Sequence, residues 1–229
     1  MKYCDLEVDI MGSKERKEKE INIRRNDIIE AAESIFFEKG YESTTMDDVA
    51  KKAEFSKRTI YAYFSSKEQI YFEIMIRGYK LLLSLLKSKM EAKDNAIDEI
   101  RKIALTFYDF SIDYSDYFWA IMEYENSVYD FQNTIPDQSR DECYALGEEI
   151  LMYLERSLNK GIAEGTIASS ILVNKTALIL WSCMLGVFNT SRKKKIYLES
   201  YHGLNQEDFI SSAIELIIQS LQTKKGGIH

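Results

Sequence analysis

Apolar residues recur every three to four positions along most of the chain, which is the spacing of amphipathic helices. The alternation with a period of two that marks half-buried strands is missing, and no segment repeats. A single proline, Pro136, and ten glycines interrupt the 229 residues. Because both residue types break helices, their scarcity favours long helices over a turn-rich β fold. The pattern therefore predicts an all-α protein.

Capping residues refine the predicted helix limits. Thr45 with Asp48, and Ser65 with Glu68, have the spacing of capping boxes, while Ser56 is a third N-cap and Gly40 ends the first helix. We expect helices at about 23–39, 46–53, 57–64, 65–90, 94–114, 116–131, 139–162, 170–191 and 207–222. A loop is expected at 132–138, an irregular basic stretch at 192–206, and a solvated or loosely helical charged segment before residue 22.

The net charge of −7 is unevenly distributed. Residues 12–80 contain 14 basic and 13 acidic side chains, whereas residues 81–229 contain 15 basic and 21 acidic ones. A polyanionic partner is therefore expected to bind the N-terminal third of the chain.

Other classes of protein lack support in the sequence. The cysteines and histidines are too few and too scattered for a disulfide framework, a metal centre or a di-iron site: Cys4, Cys143, Cys183, His202 and His229. No glycine-rich phosphate loop or HExxH motif is present, so an all-helical enzyme is a weak alternative and no cofactor is expected. The chain starts without a signal-peptide pattern, and Ala177–Phe188 is too short to span a bilayer, which favours a reducing, cytoplasmic setting. Met1 and Met11 are both candidate starts.

Residues 46–65 have the pattern of a helix-turn-helix. Two short helices flank the turn at 54–56, with Val49 and Ile60 placed to pack together and Ala50 at the crossing. Residues 51–67 contain five basic side chains and one acid, Glu54, which suits phosphate binding. The second helix of such a motif lies in the major groove of DNA.

The candidate DNA-binding residues are those whose chemistry suits base edges or phosphates: Arg24, Arg25, Thr45, Lys57, Arg58, Thr59, Tyr61, Ala62, Tyr63 and Lys67. Arg58 can read guanine and Ala62 a thymine methyl, while the hydroxyls can hold phosphates. Lys67 opposes the helix dipole at its predicted position, and a phosphate nearby would offset that conflict. Arg24 and Arg25 either brace neighbouring backbone or minor groove, or belong to a solvated helix start.

The motif resembles the DNA-binding domain of the TetR/AcrR family of transcriptional regulators. The similarity is carried by residues 36–40, 44–45, Ala50, 59–64 and 67–68. Glu54 and Arg58 depart from it, because the family usually has glycine at the first position and often at the second. The resemblance implies an N-terminal three-helix DNA-binding domain and a C-terminal helical ligand-binding and dimerisation domain. We place the extension at 1–21, these domains at 22–70 and 71–223, and a tail at 224–229.

The resemblance also implies an effector pocket and a homodimer. Residues 103–131 contain ten aromatics, and the pocket is expected to use Phe107, Phe110, Tyr114, Trp119, Met122, Glu123 and Trp181. An acid such as Glu123 or Glu125 facing the pocket would suit a lipophilic cation, whereas an uncharged or acyl ligand remains equally open. The dimer is expected to use apolar stripes on the last two helices: Leu178, Leu185, Phe188, Ile210, Ile214, Ile217 and Leu221.

These features predict a ligand-responsive regulator, in the first instance a repressor, that leaves a palindromic operator when a small apolar or aromatic effector binds. Its partners would be double-stranded DNA, that effector and a second copy of the chain, without a membrane. The alternative is a helical DNA-binding regulator without a small-molecule effector.

Overall fold

The computed structural model describes residues 4–125 and 138–223, which form ten helices and one isolated antiparallel bridge between Ile167 and Gln222. The predicted all-α class is confirmed. In chain order the helices are α1 (Cys4–Lys39), α2 (Met46–Lys52), α3 (Lys57–Tyr63), α4 (Lys67–Lys89), α5 (Ala96–Asp113), α6 (Ser115–Glu125), α7 (Gln138–Ala163), α8 (Val173–Lys193), α9 (Lys195–His202) and α10 (Gln206–Leu221). The predicted helix beyond residue 125, the loop up to 137 and the tail at 224–229 lie outside the described residues.

The helices belong to two compact units. The first contains the described residues up to Arg77 together with 138–141, and the second contains the rest. The helices α4 and α7 each begin in the first unit and continue into the second. The limits predicted for the domains, at 22–70 and 71–223, remain predictions.

The core of the first unit is formed by apolar faces of α1 to α4. Ile28 of α1, Val49 of α2, Ile60 of α3 and Ile70 of α4 are all fully buried. Ala50 is buried as well, and its carbonyl oxygen accepts a hydrogen bond from the Phe55 amide across the turn. Burial of this apolar surface, at roughly 25 cal/mol per Å², holds the short helices α2 and α3, which are too short to persist alone.

Two of the three predicted N-caps are confirmed and one is wrong. Thr45 and Asp48 form a capping box, and the Ser56 hydroxyl accepts from the Thr59 amide at 3.1 Å. The expected pair of Ser65 and Glu68 does not form. The helix α4 begins at Lys67, so the Ser66 hydroxyl caps it by accepting from the Gln69 amide at 3.1 Å. The sequence offers two adjacent serines, and the choice between them depends on where the backbone turns.

Two stretches that were not expected to be regular are helical. The helix α1 starts at Cys4, so the charged extension before residue 22 is part of it. Lysine and glutamate are good helix formers, and pairs four residues apart add support, as in Arg24 with Glu20 at 2.6 Å. The stretch at 192–206 contains α9, which Leu198 anchors through burial and Gly203 ends in the left-handed conformation (φ 64°).

The second unit contains the cores of α5 to α10 with the later parts of α4 and α7. Phe110 and Phe118 are 1% exposed, and their ring centroids lie 6.4 Å apart in edge-to-face geometry. The Arg101 guanidinium of α5 binds the Glu215 carboxylate of α10 at 2.7 Å, which lowers the pKa of Glu215. These contacts close the unit around the cavity described below.

Replacement of Glu54 by glycine is expected to stabilise the first unit. Glu54 has a φ of 56°, the only positive φ at a non-glycine residue in the described part of the chain. A side chain costs about 1 kcal/mol in this left-handed region, and glycine removes that cost. We expect Glu54→Gly to raise the free energy of unfolding by about 0.5–1 kcal/mol in chemical denaturation. Glu54→Ala is the control, because it removes the charge but keeps Cβ. An equal gain from alanine would contradict the account.

Candidate nucleic-acid interface and ligand cavity

The helix α3 turns one face inward and leaves the other exposed. Ile60 is fully buried, whereas Lys57, Arg58, Tyr61 and Ala62 are exposed. No hydrogen bond or ion pair holds the Arg58 guanidinium among residues 4–125 and 138–223. Its five N–H donors are therefore available to an external acceptor.

Lys57 has an acidic neighbour. Its ammonium lies 2.8 Å from the Asp47 carboxylate, and this hydrogen bond and charge raise the pKa of Lys57. Both side chains are more than half exposed, so water screens the pair and its contribution is small. A phosphate can therefore replace Asp47 as the partner of Lys57 at little expense.

Thr45 does not have the free hydroxyl hydrogen that the sequence analysis expected for a phosphate contact. Its hydroxyl donates to the Asp48 carboxylate at 2.7 Å and accepts from the Asp48 amide at 3.2 Å. These hydrogen bonds lower the pKa of Asp48. Thr45 would have to release the Asp48 carboxylate to donate to a phosphate, and its phosphate contact remains a prediction. Tyr61, which is 48% exposed, and the half-buried Thr59 and Tyr63 remain on α3 as candidate contacts.

Lys67 is engaged within the first unit. Its ammonium donates to the carbonyl oxygens of Tyr41 at 2.7 Å and Thr44 at 2.9 Å, and it lies 4.0 Å from the centre of the Tyr41 ring. Burial, with the charges of Glu68 and Glu42, raises the pKa of Tyr41 to about 12. Lys67 thus ties the loop after α1 to the start of α4, and its expected phosphate contact remains a prediction beside this structural role.

Arg25 braces the protein from within. Its guanidinium binds both oxygens of Glu73 on α4, at 2.6 and 2.9 Å, and lies 4.9 Å from the centre of the Phe64 ring. The Ser139 hydroxyl, in the first turn of α7, donates to the same carboxylate at 2.6 Å. This internal ion pair is neither of the alternatives open for Arg25, and a contact of Arg25 with DNA remains a prediction. Arg24 is exposed and pairs with Glu20 on its own helix.

A cavity of about 300 Å³ lies in the second unit. It is lined by side chains from α4 to α8 and α10, and the expected pocket residues Phe107, Phe110, Met122 and Trp181 are among them. The contribution of α7 to the lining was not predicted from the sequence. The lining residues on this helix include Cys143, Tyr144, Glu148, Ile150, Leu151 and Leu154. Their spacing of three and four residues is the signal that could have identified this face.

Three expected pocket residues lie outside the lining. Tyr114 follows the last residue of α5 and is 37% exposed, with its ring stacked on Phe110. The Trp119 ring instead carries the Arg192 guanidinium at 3.8 Å, and Glu123 is exposed. The helix α5 ends at Asp113, and the chain then turns, so the face assumed for Tyr114 does not continue.

The predicted dimer residues divide into two groups. Four of them are buried within their own unit, at 5% exposure or less: Phe188, Ile210, Ile214 and Leu221. These four are corrected to core residues, because the unit itself covers that face of α8 and α10. Leu178 is 50% exposed, while Leu185 and Ile217 are half-buried. Ile179 at 54% and Leu216 at 69% are exposed apolar residues on the same helices that the sequence analysis did not select.

The described residues offer no metal site and no membrane-spanning helix. Within residues 4–125 and 138–223, no group of three His, Cys, Asp or Glu side chains is placed to hold a metal ion. In the same residues, no helix is both long enough and apolar enough to cross a membrane.

Known proteins share both the motif and the fold. Residues 28–74 match the model of the bacterial regulatory proteins of the tetR family. The biofilm operon negative transcriptional regulator IcaR of Staphylococcus aureus is 27% identical over 134 residues, which cover 58% of this chain and 70% of IcaR. The transcriptional activator FasR of Mycolicibacterium smegmatis is 30% identical over 87 residues, or 38% of this chain and 40% of FasR.

A solved structure extends the likeness to most of the chain. The structure of AibR with isovaleryl coenzyme A and operator DNA has a TM-score of 0.61 at 18% identity, and it covers 84% of this chain and 97% of AibR. At that identity the likeness concerns the fold alone. The family match covers α2 and α3 with the adjoining parts of α1 and α4, and the two relatives that match in sequence are named as a negative regulator and an activator of transcription. Residues 28–74 are thus similar to the DNA-binding part of the tetR family of bacterial regulatory proteins, and the fold of the chain is similar to that of AibR.

Proposed function

We propose that the chain is a dimeric, cytoplasmic repressor that leaves a palindromic operator when a small apolar or aromatic effector binds in the cavity. The observation that carries the DNA-binding part is the outward face of α3, where Arg58 is exposed and, within the described residues, has no hydrogen bond or ion pair. In a dimer, two copies of α3 would enter successive major grooves about 34 Å apart.

The direction of regulation is proposed from a relative. IcaR, which matches a longer part of this chain than FasR does, is named as a negative regulator, whereas FasR is named as an activator. Binding of an operator in a promoter blocks polymerase in the simplest case, so repression is the form we propose here.

A second copy of the chain is proposed as the partner of the last helices. Leu178, Ile179 and Leu216 are large apolar side chains with half or more of their surface exposed. Exposed apolar surface of this kind on α8 and α10 is typical of a protein interface. These exposed residues take the place of the four buried ones in the predicted dimer interface, namely Phe188, Ile210, Ile214 and Leu221.

The cavity supports an effector over the alternative without one. Its volume of about 300 Å³ lies at the lower end of the range for ligand sites, and most of its lining is apolar. A regulator without a small-molecule effector would be expected to fill this space, because empty volume in a core is destabilising. The cavity therefore suits a compact apolar molecule.

Arg58→Ala is expected to weaken operator binding and relax sequence choice. If Arg58 reads a base, its loss should raise the Kd for an operator by about 10- to 100-fold, while nonspecific duplex is affected much less. Fluorescence anisotropy on both duplexes measures the ratio. Lys52→Ala is the matched control, since Lys52 is an exposed cation on α2. Equal loss on both duplexes for Arg58→Ala would show that Arg58 does not read bases.

Lys67→Met is expected to destabilise the first unit as well as weaken DNA binding. The substitution keeps the apolar stem but leaves the Tyr41 and Thr44 carbonyls without their charged donor. We expect a loss of about 1–3 kcal/mol in the free energy of unfolding. Unchanged stability, with only a flatter dependence of DNA affinity on salt, would assign the ammonium to a phosphate alone.

The double substitution Ile179→Glu and Leu216→Glu is expected to give a folded monomer, because it buries charges in the proposed interface. Sedimentation velocity at micromolar concentration measures the state, and circular dichroism checks the fold. Ile112→Glu is the control, since Ile112 is 51% exposed on α5. A dimer that survives the double substitution would refute this interface.

A further inference from the structure

The lining of the cavity carries charge of one sign. Among the described residues that line it, Glu148 is the only Asp or Glu, and there is no Lys, Arg or His. Glu148 is exposed, so its carboxylate lies at the solvent side of the cavity. An anionic ligand would find no counter-charge and would meet a carboxylate, which disfavours its burial.

Tyr79 and Tyr144 line the same cavity as this acid. Tyr144 precedes Glu148 by one turn of α7, which places the two side chains on the same face. The buried Tyr79 also approaches α7, because a Cβ at Gly147 would lie 3.8 Å from its hydroxyl oxygen, an ordinary van der Waals contact. An acid and phenol rings in the lining of one cavity are groups that attract a cation through charge and ring faces together.

The rest of the cavity suits an apolar body. Ile100, Phe110 and Ile214 are at most 4% exposed and line it, together with Met122 and Met184, whose flexible thioethers adapt to varied shapes. The surrounding sequence favours the same sign of ligand. Residues 81–229 contain 15 basic and 21 acidic side chains, and such a field raises the local concentration of cations.

We propose that the cavity binds a lipophilic monocation, with its positive group between Glu148 and Tyr144 and its apolar part among the core side chains. The inference rests on the proposed function, because it names the chemical class of the effector. The acid expected to face the pocket was Glu123, which lies outside the lining, and this proposal assigns that role to Glu148 on α7.

The test compares three probes that share one chain length and differ in their head group. Decyltrimethylammonium, decanol and decanoate are titrated into the full-length protein by isothermal calorimetry below their micelle concentrations. We expect the cation to bind most tightly and decanoate least. Glu148→Gln should weaken binding of the cation by roughly threefold to tenfold and leave decanol unchanged.

Glu149→Gln is the matched control. Glu149 is the adjacent exposed acid on α7, and it is not part of the lining. Glu148→Gln and Glu149→Gln change the net charge equally, so a difference between them reports the position of the acid. Equal weakening by both variants would mean that the cation responds to the overall field, and would overturn the proposed site. Tightest binding by decanoate, or equal binding of cation and alcohol, would overturn the proposed class.

Operator binding by the same sample separates this proposal from the proposed function. If decanol binds and releases DNA while the cation does not, the ligand class is wrong and the ligand-responsive regulator stands. If none of the three probes binds a protein that still binds its operator, the cation site is refuted and the regulator without an effector is favoured. Release of DNA by the cation, weakened in Glu148→Gln alone, supports both.

Discussion

The Lys67 ammonium joins two points of the chain that enclose the helix-turn-helix. It donates to the Tyr41 and Thr44 carbonyls at the start of the loop before α2, and it stands in the first turn of α4, after α3. The short helices α2 and α3 lie between these points in the chain. Since they bury little surface of their own, the position of α3 depends on this closure and on the apolar faces beneath it. The aromatic rings of Phe36, Tyr41 and Tyr71 pack around the closure, with centroids 4.5 to 5.8 Å apart.

A second polar connection ends on the same helix. Arg25 of α1 and Ser139 of α7 share the Glu73 carboxylate of α4, and the Arg25 guanidinium lies over Phe64, which follows α3. The helix α7 then continues into the second unit, where its later turns line the cavity.

The sequence predicted what depends on local spacing and failed where distant parts of the chain decide. The capping box at Thr45 was predictable because both partners lie within one turn. The carbonyl acceptors of Lys67 lie 23 and 26 residues away in the chain, so local spacing could not identify them. The unfavourable position of its charge at the start of a helix suggested a phosphate outside the protein instead. The apolar periodicity of α10 identified Ile214 as a contact residue, but it could not tell whether the chain's own core or a partner covers it. The apolar periodicity of α7 was present in the sequence, but the pocket was predicted from the aromatic residues of 103–131 and Trp181, so the contribution of α7 was not predicted.

The central claim is that α3 reads DNA in a two-fold symmetric assembly, and selection of bound duplexes from a random-sequence pool tests it most directly. The account predicts enrichment of a palindrome whose half-site centres lie about 10 base pairs apart, one turn of the double helix. Enrichment of a single unrepeated half-site would contradict the dimer. A pool that stays random for the folded protein, with and without candidate cations, would contradict sequence-specific recognition by α3.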